Sequence, residues 1–306
     1  MTTAQPPRRA DDRDPYWSRH RDREGTTARR DPIIWGSRVE AASRGPLGER
    51  ELRSFEENGF LLVDSLFSEE EVERLLRRAE ELAAQPPDPE TLVREPGSDA
   101  VRSIFRIHRD DRVFRSLADD PRLAGVARQI LDSEVAVHQS RINFKPGFTG
   151  RPFDWHSDFE TWHMEDGMPG MRALSASLLL TDNLPINGTL MLVPGSHRTY
   201  VRCQGETPED HYRQSLAEQR VGIPSQHVLR DLIGEGGVVQ ATGGPGSVLF
   251  FDCNTLHGSA GNITPYPRHN VFMVFNSEHN RLEPPYGGTR PRPSFLADRA
   301  PRGDRP

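Results

Sequence analysis

The sequence predicts a mainly β protein, with a double-stranded β-helix (a cupin-like jelly roll) as its core and flanking α-helices. Three observations support this fold class. After Val135, short apolar runs alternate with turn residues, as in RALSASLLLTDN, TLMLVPGS and GSVLFFD. The dipeptide Asn187-Gly188 between two of these runs is typical of a β-hairpin. Helical patterns precede the runs, so we expect helices to pack outside a core of antiparallel strands.

Two amphipathic helices are predicted before the strands begin. Ser68 and Glu71 make a capping box at the start of the first, and Pro86-Pro87 ends it. Its apolar residues follow helical spacing: Val72, Leu75, Leu76, Ala79, Leu82 and Ala83. The second helix begins at Asp120-Pro121, an N-cap followed by proline at the first helical position. One of its faces carries Leu123, Val126, Ala127, Ile130 and Leu131.

The 306 residues are long enough for one catalytic domain with a tail at each end. Residues 1–48 are rich in Arg, Asp, Pro, Gly and Thr, a composition that buries too little apolar surface to offset its ordering entropy. We expect a mostly flexible tail there, in which the apolar cluster Ile33-Ile34-Trp35 is able to dock. The domain is predicted over 49–298, and a flexible C-terminal tail over 299–306.

The composition argues against several classes of partner. The chain has 39 basic and 45 acidic residues and a net charge of −6, without the clustered basic face that nucleic acid requires. Its two cysteines, Cys203 and Cys253, form neither a disulfide framework nor a C-x-x-C pair. We find no apolar segment of signal-peptide or membrane-span character in the sequence. These features predict a cytoplasmic protein that binds neither nucleic acid nor membranes.

The run FDWHSDFETWH contains an H-x-D triplet, His156 and Asp158, and His257 lies far downstream in FFDCNTLHGS. Residues i and i+2 of a strand point to the same side, so His156 and Asp158 are expected to face one metal ion. Two imidazoles and one carboxylate are the ligands of a mononuclear non-haem Fe(II) oxygenase. Two alternatives stay open: the triplet forms hydrogen bonds on a surface strand, or His257 is a core histidine.

Arg268 precedes the apolar run NVFMVF. A buried arginine at this point offers two parallel N–H groups to a carboxylate, such as the distal carboxylate of 2-oxoglutarate. The alternative is an arginine that faces solvent at the start of a strand.

Three segments carry a family resemblance: QSRINFKPGFTGRPFDWHSDFETWHMEDGMP, NGTLMLVPGSHR and the H-G-S that follows FFDCNTL. From about residue 50 to 298 the chain resembles the phytanoyl-CoA dioxygenase superfamily of Fe(II)- and 2-oxoglutarate-dependent oxygenases, and within it the ectoine-hydroxylating enzymes. The resemblance implies hydroxylation of L-ectoine to 5-hydroxyectoine, a compatible solute of osmotic stress, by O2 with release of succinate and CO2. It also implies a homodimer.

The resemblance further implies a role for each matching residue. The iron ligands are His156, Asp158 and His257, and the 2-oxoglutarate contacts are Lys145, Arg268 and Ser259. The contacts to ectoine are Gln139, Thr161, Trp162 and Arg292.

The chemistry of ectoine fits three of these residues. Ectoine joins a carboxylate to a cyclic amidinium, so its pocket needs an aromatic face, an amide and a cation, which Trp162, Gln139 and Arg292 supply. Each has a simpler alternative as a core aromatic, a polar strand residue and a solvated loop charge, respectively. At the level of the whole protein, the alternatives are a related dioxygenase acting on another small zwitterion or amino acid, and a non-catalytic jelly-roll protein that binds metal or ligands.

Overall fold

The computed structural model describes residues 14–21, 23–85, 88–216 and 218–300. Its strands are β1 Gly25–Ala28, β2 Phe60–Val63, β3 Leu92–Arg94, β4 Val101–Phe105, β5 Val135–Lys145, β6 Phe153–His156, β7 Ala173–Leu179, β8 Leu190–Leu192, β9 Thr199–Arg202, β10 Val239–Gln240, β11 Val248–Asp252, β12 His257–Ser259 and β13 Arg268–Ser277. Its helices are α1 Arg38–Arg44, α2 Glu49–Asn58, α3 Glu69–Ala84, α4 Ile107–Asp110, α5 Arg112–Ala118, α6 Pro121–Leu131, α7 Asp158–Thr161, α8 Tyr212–Ser215 and α9 Gln226–Gly236. A π-helical turn, Trp162–Asp166, continues α7.

Two antiparallel sheets form the centre of the fold. The large sheet has the strand order β2-β11-β7-β13-β5-β4-β3, and the small sheet has the order β10-β8-β12-β6. Apolar side chains from both sheets pack between them: Leu190, Leu192, Leu249, Phe251 and Phe272. The jelly-roll class predicted from the sequence is confirmed, and within the described residues neither sheet closes into a barrel.

The other face of the large sheet packs against helices. Ile142 and Phe144 of β5 belong to an apolar cluster that also contains Leu75 of α3, Phe114 of α5 and Ile130 of α6. Full burial of one such side chain contributes about 1.5–3 kcal/mol to folding. Because side chains alternate along a strand, Gln139, Arg141, Asn143 and Lys145 of β5 point the other way, between the sheets.

Both predicted helices are present and begin where their caps indicate. The Ser68 hydroxyl accepts a hydrogen bond from the Glu71 backbone N–H, and the Glu71 carboxylate accepts one from the Ser68 backbone N–H. Asp120 caps α6, its carboxylate accepting from the Arg122 N–H, with Pro121 at the first helical position. The prediction that Pro86-Pro87 ends α3 concerns residues outside the described ones; the helix ends at Ala84.

The hairpin predicted at Asn187-Gly188 is wrong. The dipeptide does form a turn, in which Gly188 has a φ of +72° and the Asn187 side chain donates to the carbonyl of Asp182. The flanking strands, however, lie in different sheets: β7 pairs with β11 and β13, and β8 pairs with β10 and β12. The turn therefore carries the chain from one sheet to the other, which turn chemistry alone does not distinguish from a hairpin.

The expectation of a mostly flexible N-terminal tail is wrong for the described residues from 14 to 48. Strand β1 pairs with β9, and Tyr16 is 2 % exposed. Ile34 lies in the apolar cluster beneath α6, which agrees with docking of the Ile33-Ile34-Trp35 segment on the domain. Arg19 and Arg29 are buried in ion pairs. The polar composition of this segment does not predict its packing, because the carboxylates that pair with Arg19 and Arg29 lie far away in the sequence.

Candidate active site

Two imidazoles and one carboxylate meet beside the small sheet. His156 is the last residue of β6 and His257 the first of β12, and the two lie opposite each other in the strand register. The Oδ1 atom of Asp158 lies 3.7 Å from Nε2 of His156 and 3.9 Å from Nε2 of His257. One ligand atom from each of the three residues lies within 4.8 Å of the others, a spacing that suits a single metal ion.

Asp158 does not lie on the strand where the sequence places it. Strand β6 ends at His156, and Asp158 is the first residue of α7. Between them Ser157 is extended, with φ −106° and ψ 130°, so the side chains of His156 and Asp158 still face the same point. The predicted direction of the two ligands is therefore right, although the secondary structure assigned to Asp158 is not.

The histidine rings are held in the orientation that metal binding needs. Nδ1 of His156 lies 2.6 Å from the carbonyl oxygen of Asp154, and Nδ1 of His257 lies 2.9 Å from that of Thr255. A carbonyl only accepts, so each Nδ1 carries the proton and each Nε2 lone pair points toward Asp158. Burial and the neighbouring His156 lower the pKa of His257 to about 4, which keeps its ring neutral at pH 7. This donor set fits Fe(II).

A cleft of about 80 Å³ opens above the triad. Its lining includes His156 and Asp158 together with four residues that the sequence assigns to ectoine: Gln139, Thr161, Trp162 and Arg292. A larger groove of about 520 Å³ lies between α1 and α6, and its lining contains no triad residue. We place the site at the smaller cleft because the candidate metal ligands lie there.

Trp162 and Gln139 contribute an aromatic ring and an amide to the cleft. Trp162 is 3 % exposed, and its ring makes a T-shaped contact with the His138 ring, with 5.1 Å between the centroids. The Gln139 amide donates to the carbonyl of Leu296 at 2.8 Å, and its oxygen accepts from a guanidinium N–H of Arg141 at 2.7 Å. These contacts leave both side chains fixed before any ligand binds.

Arg292 is not the solvated loop charge that the simpler alternative describes. It is 9 % exposed, and its Nε and Nη2 atoms donate to the two carboxylate oxygens of Asp166 at 2.7 and 2.6 Å. Asp166 also lies 3.1 Å from Nε2 of His138. The pair holds the guanidinium at the wall of the cleft with its remaining N–H group available to an anion.

Lys145 and Arg268 form a buried cationic pair. Lys145 is 1 % exposed and donates to Ser259 Oγ at 2.9 Å and to the carbonyl oxygens of Arg151 and Ala260 at 3.0 and 2.6 Å. Arg268 is 2 % exposed, and its Nε has no hydrogen-bond partner within the part of the chain that is described. Burial, with repulsion from Arg102, lowers the pKa of Arg268 to about 10. A carboxylate is the group this pair lacks.

Arg141 was missed by the sequence analysis. It lines the cleft, and its guanidinium lies 4.8 Å from the centre of the Phe272 ring. Gln139, Arg141 and Asn143 all line the cleft from β5, while the intervening Ile142 packs against helices. The alternation of polar and apolar residues in QSRINFK was therefore visible in the sequence, but the side on which the site lies was not.

The family model described as phytanoyl-CoA dioxygenase (PhyH) matches residues 55–270. The chain is 54 % identical to the ectoine dioxygenase of Bordetella bronchiseptica over 288 residues, which is 94 % of this chain and 92 % of the relative. It is 51 % identical to the ectoine dioxygenase of Sphingopyxis alaskensis over 288 residues, 94 % of this chain and 93 % of the relative.

Solved structures show the same likeness. The crystal structure of EctD from S. alaskensis with 2-oxoglutarate and 5-hydroxyectoine superposes with a TM-score of 0.85 at 47 % identity and covers 94 % of this chain and 95 % of that one. The crystal structure of the same protein with bound Fe gives a TM-score of 0.83 at 46 % identity, with coverage of 94 % and 95 %.

Proposed function

The chain belongs to the phytanoyl-CoA dioxygenase family, and from this membership and its site we propose that it is an Fe(II)- and 2-oxoglutarate-dependent dioxygenase that hydroxylates L-ectoine. The products are 5-hydroxyectoine, succinate and CO2. The observation that carries the proposal is the complete triad of His156, Asp158 and His257 in a chain whose similar relatives are ectoine dioxygenases.

His156, Asp158 and His257 hold the iron in this proposal. Bound there, Fe(II) together with 2-oxoglutarate and O2 supplies the oxidation of an unactivated C–H bond. The chain's own contribution is to fix the ligands: the carbonyl oxygens of Asp154 and Thr255 orient the two rings through their Nδ1 atoms. Such outer contacts raise ligand basicity and hold the coordination geometry.

Arg268 binds the distal carboxylate of 2-oxoglutarate, with Lys145 and Ser259 beside it. The support is electrostatic, since both cations are buried and the pKa of each is lowered by burial and by positive neighbours. Lys145 already contacts three oxygens, so it acts mainly by the charge that it carries once the carboxylate is bound and by holding the Ser259 hydroxyl. Arg268 has the free N–H group and is the direct ligand.

Ectoine lies in the cleft with its carboxylate toward Arg292 and its amidinium on Trp162. A cation over a tryptophan face contributes on the order of 0.5–2 kcal/mol, according to how far it is desolvated. Gln139 and Thr161 complete the polar contacts to the ring. Because Gln139, Trp162 and Arg292 are buried and already fixed, binding requires little ordering of the protein.

We also propose a cytoplasmic homodimer that works in compatible-solute synthesis under osmotic stress and binds no nucleic acid. The dimer and the osmotic role rest on likeness to the family, and the compartment rests on the two unpaired cysteines. The lack of clustered basic residues in the sequence argues against nucleic acid as a partner. No helix in the described part of the chain has the length and apolar character that spanning a bilayer demands.

The test compares Asp158→Ala with Asp154→Ala, four residues earlier, whose side chain is exposed. After anaerobic loading with Fe(II), we expect Asp158→Ala to lose iron and at least about 100-fold of its ectoine turnover, because removing a ligand costs more than removing an outer contact. Asp154→Ala should retain both. Full turnover by Asp158→Ala, measured by mass spectrometry of product, would contradict the assignment.

A further inference from the structure

One arginine from the N-terminal segment is buried directly behind the cleft. The side chain of Arg19 is 1 % exposed. Its Nε and Nη2 atoms donate to Glu160 at 2.9 and 2.8 Å, and its Nη1 donates to Glu165 at 2.6 Å. The backbone holds it there as well, since the Arg19 N–H donates to the carbonyl of Cys203 at 2.8 Å.

The two carboxylates that Arg19 joins flank the residues assigned to ectoine. Glu160 is in α7, immediately before Thr161 and Trp162, and Glu165 is in the π-helical turn that follows. Nη2 of Arg19 also lies 3.3 Å from the Thr161 hydroxyl. One guanidinium thus holds the chain on both sides of Trp162, through Glu160 before it and Glu165 after it. The helix that contains Glu160, α7, begins with the iron ligand Asp158.

The charges make this contact hard to replace. Glu160 is 1 % exposed and Glu165 is 2 % exposed, so without Arg19 two buried carboxylates would face each other with less positive charge between them. Ser18 donates to Glu160 at 2.7 Å, and Nδ1 of His211 lies 3.0 Å from Glu165. The charge of Arg292 also acts on Glu165, but that guanidinium is paired with Asp166, and a neutral hydroxyl and one imidazole do not offset two negative charges.

A planar guanidinium also has the shape that the position requires. It spans two carboxylates with separate N–H groups, whereas an ammonium group is a single point of charge. Arg19 adopts a φ of +59°, an uncommon conformation for a residue other than glycine, and its contacts maintain it. The arginine-rich segment therefore presents this side chain in one orientation.

We propose that Arg19 is a positioning residue for the substrate: it fixes Thr161 and Trp162 against the cleft through Glu160 and Glu165. The N-terminal segment is then part of the working enzyme and not a dispensable tail. The inference rests on the proposed function, because it concerns the placing of ectoine in the cleft.

The test uses Arg19→Met and Arg19→Lys, with Arg21→Met as the matched control. Arg21 is two residues away, and its ion pair with Glu206 is exposed, with 75 % of the arginine side chain accessible. We expect the Arg19 variants to raise the KM and the Kd for ectoine between about 10-fold and 100-fold, as for a misplaced substrate group. The KM for 2-oxoglutarate should stay unchanged, and Arg21→Met should match the wild type in every respect.

The coupling of 2-oxoglutarate consumption to ectoine hydroxylation is the second measurement. The ratio of 5-hydroxyectoine to succinate should fall in the Arg19 variants, because 2-oxoglutarate is still consumed when ectoine is badly placed. A purely structural role would lower both products in proportion and leave the ratio and the KM for ectoine unaltered. That result would overturn the inference, as would wild-type kinetics in a folded Arg19 variant.

A third variant covers the case in which the single substitutions do not fold. Arg19→Met combined with Glu160→Gln and Glu165→Gln removes the cation and both anions together, so no unpaired carboxylate stays buried. We expect it to fold and still show weakened ectoine binding by calorimetry. Normal binding in this variant would contradict the role. If the wild type itself hydroxylates no ectoine, the proposed function is wrong. If the wild type is active and an Arg19 variant matches it, only the role of Arg19 is wrong.

Discussion

Lys145 and Arg268 stand directly opposite each other in the register of β5 and β13, and both side chains are buried. In their charged forms the two buried side chains repel each other, and Arg102 adds to the repulsion, so that Lys145 loses its proton readily when no anion is bound. The arrangement is unfavourable unless an anion binds. It is the physical reason for placing the distal carboxylate of 2-oxoglutarate there.

Arg268→Met should therefore weaken 2-oxoglutarate binding selectively. Loss of charge-assisted hydrogen bonds corresponds to about 1.5–3 kcal/mol, so we expect the KM for 2-oxoglutarate to rise about 10-fold to 100-fold. Arg53→Met, at an exposed ion pair on α2, is the control and should have no effect. Steady-state kinetics with each substrate varied in turn measure the change. An equal rise in the KM for ectoine would argue for general disruption of the site.

Lys145 predicts a pH dependence of the same binding step. Burial, then repulsion from Arg268 and Arg102, lowers the pKa of its ammonium group to about 6, so in the free enzyme it is neutral above that pH. A bound carboxylate favours the charged form and raises this pKa, so binding takes up a proton. The affinity for 2-oxoglutarate should consequently fall as the pH rises from 7 to 9, by at most about 10-fold per unit.

Calorimetry in two buffers of different ionisation enthalpy checks the proton uptake. The wild type should take up as much as about one proton per complex at pH 8. Lys145→Met, which cannot titrate, should bind more weakly but with little dependence on pH. A wild-type affinity that is constant over this range would show that Lys145 does not sense the ligand.

Substitutions at Trp162 distinguish a role in binding ectoine from a role in packing the core. Trp162→Leu should raise the KM for ectoine by about 2-fold to 30-fold, the range that corresponds to loss of a cation–π contact, while the KM for 2-oxoglutarate stays constant. Trp162→Phe keeps an aromatic face and should lose less. If Trp162 is only a core aromatic, both variants will unfold at a lower temperature with an unchanged KM for ectoine.

The capping box of α3 gives a prediction about stability. Ser68→Ala removes the side-chain oxygen that accepts from the Glu71 N–H, and we expect the free energy of unfolding to fall by about 0.5–2 kcal/mol. Ser116→Ala, at an exposed position in α5, is the control and should change it little. Urea unfolding with an unchanged m-value is the measurement. Equal stability of Ser68→Ala and the wild type would contradict the cap.

The parts of the fold that local chemistry determines were predictable. The starts of α3 and α6 follow from Ser68 and Asp120, whose caps act on neighbours two or three residues away. The partners of β7 and β8, in contrast, are set by pairing between distant strands. For that reason the Asn187-Gly188 turn was recognised while its role as a passage between sheets was not.

The same distinction applies to the site. The spacing of His156 and Asp158 pointed to a metal because an extended Ser157 keeps their side chains on one side, even though a helix begins at Asp158. Arg19 left no such pattern, because its partners Glu160 and Glu165 lie far away in the chain. An isolated arginine in a polar segment has the same local sequence whether it is solvated or buried.

The most direct test of the central claim is turnover of ectoine by the Fe(II)-loaded enzyme under ¹⁸O₂, with mass spectrometry of both products. The account predicts 5-hydroxyectoine carrying one ¹⁸O atom, matched in amount by succinate carrying the other, and no hydroxylated product without 2-oxoglutarate. Labelled succinate without hydroxylated ectoine would contradict the substrate, and the absence of both products from iron-bound protein would contradict the dioxygenase itself.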